Sequence, residues 1–172
     1  MNNFLDLAKE RYSVRKFSDR PIEKEKMEKI LEAAKVAPTA KNLQAVKIYV
    51  LQSEEALEKI NELSRCIFGA KTVFLIAYDK EKEWHNPQEE GVRSGQEDAS
   101  IVATHMMMEA ADLGIGTCWV NLFPNTETAK AFGLPDNIFP VLLMPAGYAD
   151  LDCKPAPRHT EYPEWENMVE WL

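Results

Sequence analysis

Cysteine is scarce and unpaired in this chain. Cys66, Cys118 and Cys153 are odd in number, far apart and never in a C-x-x-C arrangement. A disulfide framework and a zinc site both need other spacings, so three reduced thiols are expected. Cations are in the minority, 20 Lys and Arg against 28 Asp and Glu, which argues against a nucleic-acid surface. Any anionic ligand must then be met by a local basic site. No apolar run approaches the length of a membrane span, and Met1-Asn2-Asn3 leads into "FLDLAKERYS" with no basic segment followed by an apolar one. The expectation is a cytoplasmic protein with neither membrane nor nucleic acid as a partner. Internal repeats, a Gly/Ser-rich linker, a G-x-S-x-G elbow and a GK[ST] phosphate loop are all missing. His85, His105 and His159 share no metal-ligand spacing, so no metal is expected, and His105 reads as a packed or interface histidine.

What is present is ordinary globular composition. At 172 residues and 45% hydrophobic content the chain is long enough to bury a core as one domain, residues 1–172. A short helix is expected near Phe4 to Lys9. A second follows Pro21, with Met27, Ile30, Leu31 and Ala34 at helical spacing, and stops before Pro38. Val46 to Leu51 alternates like a half-buried strand. Ser53 then caps a helix whose stripe is Leu57, Ile60 and Leu63. "TVFLIAY", Thr72 to Tyr78, is an uninterrupted apolar run suited to a sheet centre covered on both faces. Asp79 to Gly95 is polar and irregular. Gln96 to Leu113 is helical and apolar around most of its circumference, which suits a central helix, a subunit interface or both. "GIGTCWVNLF" reads as a strand, Asn125 to Phe132 as a short helix closed by Gly133, and "FPVLLMPAGY" as a strand. Glu161 to Leu172 has the period of a last amphipathic helix, with Trp165, Met168, Val169 and Leu172 inward. Strands and helices in this mixture predict an α+β sheet with helices against it.

Four stretches carry candidate chemistry. In "RYSVRKF" an extended backbone would turn Arg11, Ser13 and Arg15 to one side, giving two guanidiniums around a hydroxyl. That set suits a terminal phosphate; the same residues also suit a charged turn paired with the many acidic side chains. In "APTAKNLQ" Asn42 and Gln44 offer two carboxamides, either to a planar heterocycle such as a flavin or to solvent in a polar loop. "GIGTCW" lacks the third glycine of a dinucleotide fingerprint and leads into a strand, so that reading is rejected; Gly114 should end a helix and Gly116 should permit a close approach. Cys118 lies within it as a buried, inert thiol. "MPAGY" and "LDCKPAPRH" add Lys154, Arg158 and His159. Trp84 can equally stack over a substrate or cap the core.

In series, "RYSVRKF", "APTAKNLQ", "ADLGIGTCWV" and "MPAGYAD…KPAPRH" resemble the FMN-dependent nitroreductase family, compact members included, over nearly the whole chain. The resemblance implies a mixed, mainly antiparallel sheet flanked by helices in an intertwined homodimer, with FMN at the subunit interface. It implies that Arg11, Tyr12, Ser13, Arg15 and Arg158 hold the phosphate and ribityl chain. Pro38, Thr39, Asn42 and Gln44 would approach the flavin from the other subunit, while Thr117 and Pro145, Ala146 and Gly147 line the remaining side. Thr39-Ala40 stands where many members carry two small hydroxyl residues, and "AVK" follows Gln44 where an aromatic is common. The implied activity is an oxidoreductase that takes hydride from NADH or NADPH and reduces an aromatic acceptor, a nitroarene or a quinone, by a ping-pong mechanism. Reductive dehalogenation, flavin fragmentation and non-enzymatic FMN binding are the alternatives.

Overall fold

A computed structural model describes residues 3–172. Helices start where the sequence supplies acceptors. Asn3 Oδ1 accepts from the Asp6 amide at the head of α1 (Phe4–Glu10), and Ser53 Oγ from the Ala56 amide at the head of α3 (Glu54–Leu63), satisfying otherwise orphaned donors. α2 (Lys24–Val36) ends as Ala37 turns extended before Pro38. α4 (Gly95–Asp112) ends one residue before Gly114, whose φ of +73° is the left-handed geometry that favours glycine. α5 (Asn125–Ala131) is closed by Gly133, also left-handed.

The strands β1 (Val46–Leu51), β2 (Thr72–Asp79), β3 (Gly116–Thr117) and β4 (Ile138–Gly147) form one sheet in the order β1-β2-β4-β3, with every strand pair antiparallel. A single parallel bridge, Ser13 to Thr117, adds the N-terminal segment beyond β3. All eight residues of β2 are buried. Phe74, Ile76 and Tyr78 face α2 and α4, meeting Ile30, Val102 and Met106. Val73 and Leu75 face the other side with Val14, Ile60 and Phe123. The alternation is the period-two geometry of a strand between two cores. Pro140 lies in β4, where a proline removes a ladder donor. The β2–β4 register shifts there, and the carbonyls of Pro140 and Val141 accept from the side-chain Nδ2 groups of Asn125 and Asn121 at 2.8 and 3.1 Å.

Two expectations change. The C-terminal segment is not a helix: only a single turn, Trp165–Asn167, forms, and Trp165, Met168 and Leu172 are exposed instead of inward. Helical period alone does not fold a segment that has no apolar surface of its own chain to lie on. "GIGTCWVNLF" forms only the two-residue β3 and an isolated bridge at Val120, because the chain leaves the sheet at Asn121. Within one chain α4 is a central helix with Ala99, Val102, Ala103 and Met106 buried and Met107 packed towards its own core, while Ile101, Thr104 and His105 are left exposed.

One polar knot ties α2 to the rest. Tyr148 Oη donates to Glu23 at 2.6 Å and accepts from Lys26 at 2.9 Å, and the Arg20 guanidinium stacks 3.9 Å from the Tyr148 ring centre. The Tyr148 hydrogen bond, followed by a backbone amide and Arg20, lowers the Glu23 pKa from 4.5 to about 2. A depressed carboxylate contributes stability above its unfolded pKa and loses it as pH falls towards its folded value. The stability difference between wild type and Glu23→Gln should therefore be full at neutral pH and shrink as pH drops from 4.5 towards about 2, which urea unfolding at stepped pH will read.

Candidate functional site

The opening motif runs extended beside β3, with the Val14 amide donating to the Thr117 carbonyl at 2.9 Å. This approach requires Gly116: a Cβ there would lie 2.5 Å from Val14 Cγ2. The expected close approach at Gly116 is thus one of chain to chain. Val14 and Phe17 enter the core, leaving Arg11, Ser13 and Arg15 towards the surface.

The three cations of the motif are not equivalent. Lys16 Nζ reaches Asp150 at 3.0 Å and Asp152 at 3.5 Å, so it belongs to the charged-turn reading. Among the described residues, neither Arg11 nor Arg15 pairs with a carboxylate; Arg15 donates only to the Ser13 carbonyl, at 3.3 Å. Both guanidiniums and the Ser13 hydroxyl act on one buried point. Burial pushes the Cys118 thiol pKa up, while Arg15, Ser13 and Arg11 pull against it. A concavity of about 250 Å³ opens on the Arg11 side of the motif, bounded by Leu7, Arg11, Tyr12, Gly116 and Thr117.

The C-terminal tail folds back onto the same place. Tyr12 Oη donates to the Cys153 carbonyl at 3.4 Å, and its ring meets His159 edge-on. Burial first, then Cys153, raises the Tyr12 pKa. Arg158, the neighbour of His159, is 89% exposed and has only a 3.7 Å surface pair with Glu161. Pro145, Ala146 and Gly147 are buried in β4, between the first residues of β2 and β3, with Phe17 over Gly147.

The carboxamide cluster is built differently. Residues 39–44 turn tightly, with Lys41, Asn42 and Gln44 all at positive φ, 48°, 55° and 52°, and no glycine among them. Left-handed backbone costs roughly 1–2 kcal/mol for each such residue, so the turn must be held from outside. Thr39 Oγ1 accepts from the Gln44 amide, Gln44 Nε2 donates to Asn42 Oδ1, and the buried Asp98 accepts from the Ala40 amide at 2.8 Å. Both carboxamides stand exposed. Sequence reading missed Asp98 and Ser94. Nothing local marks them, since a carboxylate in a helix's first turn usually faces solvent.

The loop after β2 is ordered around two buried acids, Asp79, which accepts from the Glu81 amide at 3.0 Å, and Glu83. Glu83 accepts from the Gly95 amide at 3.0 Å and lies 3.5 Å from Arg93. A Cβ on Gly95 would lie 2.2 Å from the Tyr78 ring and 2.5 Å from Glu83, so α4 can begin here only with glycine. Trp84 is half-buried, its backbone exchanging hydrogen bonds with Ser94.

Within one chain the two clusters are far apart. The carboxamide turn enters β1, one edge of the sheet, at the row of Val46 and Tyr78. Thr117 sits on β3, the other edge, at the row of Ala146 and Thr72. Three strand spacings and six residues along β2 separate them, roughly 14 Å across and 20 Å along. Away from both, a groove of about 750 Å³ runs between α1, α2 and α4, bounded by Phe4, Leu7, Ala33, Val36, His105 and Met108. Among the described residues no group of three His, Cys, Asp or Glu is placed to hold a metal, and no helix is long and apolar enough to cross a membrane.

Known proteins share this arrangement. A nitroreductase family protein from Clostridium difficile 630 superposes with a TM-score of 0.91 at 37% identity, covering all of both chains. A protein of Archaeoglobus fulgidus, provisionally named NADH dehydrogenase/NAD(P)H nitroreductase, is 31% identical over 86% of each chain. The NADPH-dependent oxidoreductase of Staphylococcus aureus USA300 is 30% identical over 83% of this chain, which spans 63% of that longer protein. A provisionally named nitroreductase from Exiguobacterium sibiricum, in complex with FMN, shares the fold, with a TM-score of 0.82 at 22% identity. The Nitroreductase family profile matches residues 8–68 and 64–148, and the chain belongs to that family of oxidoreductases.

Proposed function

We propose that the protein is an FMN-dependent oxidoreductase that uses NADH or NADPH to reduce an aromatic acceptor, a nitroarene or a quinone, in a homodimer that shares its sites. The observation that carries the reading is the pair Arg11 and Arg15. In a chain with eight excess negative charges they flank Ser13 and meet no carboxylate among the described residues. Two guanidiniums of like charge set close together without a carboxylate leave their donors free for an anion, and a phosphate supplies oxygens that match their fork. That donor set fits the FMN held by the Exiguobacterium relative.

In this reading Arg11, Tyr12, Ser13, Arg15 and Arg158 hold the phosphate and ribityl chain, and Thr117 with the backbone of Pro145 to Gly147 supports that side. Pro38, Thr39, Asn42 and Gln44 of the second subunit present hydrogen-bonding groups to the ring, which the separation of the two clusters within one chain favours. Trp84, tied by its backbone to the helix that holds the Asn42 turn, borders the acceptor pocket. FMN, when bound, supplies the two-electron chemistry, accepting hydride from NAD(P)H and delivering reducing equivalents to the acceptor. The protein orients the ring and shields it; no side-chain nucleophile is required.

The test is anaerobic addition of NADH, then NADPH, to the purified yellow protein. Bleaching of the flavin band followed by its return on adding a quinone supports the enzyme, and initial rates should give parallel plots. A protein that holds FMN but is bleached by neither nucleotide is a flavin binder instead.

A further inference from the structure

The carboxamide turn is strained, solvent-exposed and made without glycine, yet it has one geometry. Its only bond to a buried charge is the one from the Ala40 amide to Asp98 Oδ1, 2.8 Å. The other oxygen, Oδ2, accepts from Ser94 Oγ at 2.8 Å, and Ser94 Oγ accepts in turn from the Trp84 amide at 3.1 Å. Asp98 is 2% exposed. A buried carboxylate bonded on both oxygens is rigid, because losing either donor leaves a desolvated lone pair. It is held in place by α4, whose first amide, that of Gly95, is anchored on Glu83.

We propose that Asp98 is a positioning residue: it pins the Thr39-to-Gln44 turn that aims Asn42 and Gln44, and through Ser94 it locks that turn to the loop carrying Trp84. The two walls of the pocket, ring-contacting turn and acceptor-facing loop, therefore move as one body. The inference rests on the flavin reading for what the turn touches, but the pin itself does not. Loss of Asp98 frees the Ala40 amide and lets three left-handed residues relax towards ordinary backbone. Asn42 and Gln44 then lose their aim, whereas the Arg11–Arg15 cluster, on the far diagonal of the sheet, is untouched.

The experiment compares Asp98→Ala, Asp98→Asn and Ser94→Ala in the purified holoprotein. Amide hydrogen exchange over residues 38–45 should quicken roughly ten-fold or more in Asp98→Ala, as expected for one lost charge-assisted bond, with β2 and α5 unchanged. Asp98→Asn keeps an acceptor for Ala40 and should restore most of the protection. Ser94→Ala should quicken exchange at Trp84 and, less, across residues 38–45. Affinities for FMN and riboflavin should fall by the same factor in Asp98→Ala, since both carry the ring. Unchanged exchange over residues 38–45, or acceleration spread evenly through the chain, overturns the pin. A loss for FMN that spares riboflavin overturns the ring-side role. If wild type binds neither flavin the functional reading fails, and the exchange comparison still decides whether Asp98 holds the turn.

Discussion

Arg15→Ala will lower FMN affinity about ten-fold or more while leaving riboflavin binding almost unchanged. A charge-assisted hydrogen bond contributes roughly 1.5–3 kcal/mol net, and riboflavin has no phosphate to lose it from. The fold should not suffer, because Arg15 is exposed and, among the described residues, its side chain bonds only the Ser13 carbonyl, at 3.3 Å. Arg158→Ala should behave alike, since a 3.7 Å pair with Glu161 at an exposed site holds it to nothing essential. Lys16→Ala provides the contrast. Its ammonium is engaged by Asp150, whose hydrogen bond raises the Lys16 pKa, so FMN affinity should barely change. Fluorescence titration with both flavins reads all of this. Equal losses for FMN and riboflavin would move Arg15 and Arg158 away from the phosphate.

If the proposed homodimer shares its flavin sites, Met108→Glu will dissociate it and release flavin in the same concentration range. Phe4 and Val36 are each 68% exposed at the rim of the 750 Å³ groove that Met108 lines, and apart from that groove, in the C-terminal segment, Trp171 is 93% exposed. Covering one such side chain contributes about 1.5–3 kcal/mol, so a second chain has ample apolar surface to take up. A carboxylate placed into that contact should cost about 3 kcal/mol or more, a hundred-fold or greater weakening. Met107 is the wrong position for this test, because it packs into its own chain's core and a charge there would unfold the protein. Sedimentation of wild type should show two chains, and Met108→Glu one chain with a normal circular dichroism spectrum. A wild-type monomer carrying a full complement of FMN would sink the shared site.

What the sequence determined alone is whatever short-range physics controls. Ser53 as a cap, Gly114 and Gly133 as helix stops, Ala37 before Pro38, and the unbroken apolar run Thr72 to Tyr78, which lies within β2, each act within a few residues and follow local rules. The order of the four motifs sufficed for the family. Tertiary structure alone decided the partners of charges and the cover of apolar stripes. Lys16 and Arg15 are adjacent cations, yet Asp150, far along the chain, takes one and leaves the other. The period of residues 161–172 reads as a helix, but its apolar face finds nothing in this chain to bury it. Three left-handed residues without a glycine contradict local preference, and the contacts that brace them, Thr39 with Gln44, Gln44 with Asn42, and the Ala40 amide with the buried Asp98 brought from α4, are made only in the folded chain. Electrostatic and packing energies depend on distance in space, which sequence spacing encodes only where the chain is locally regular.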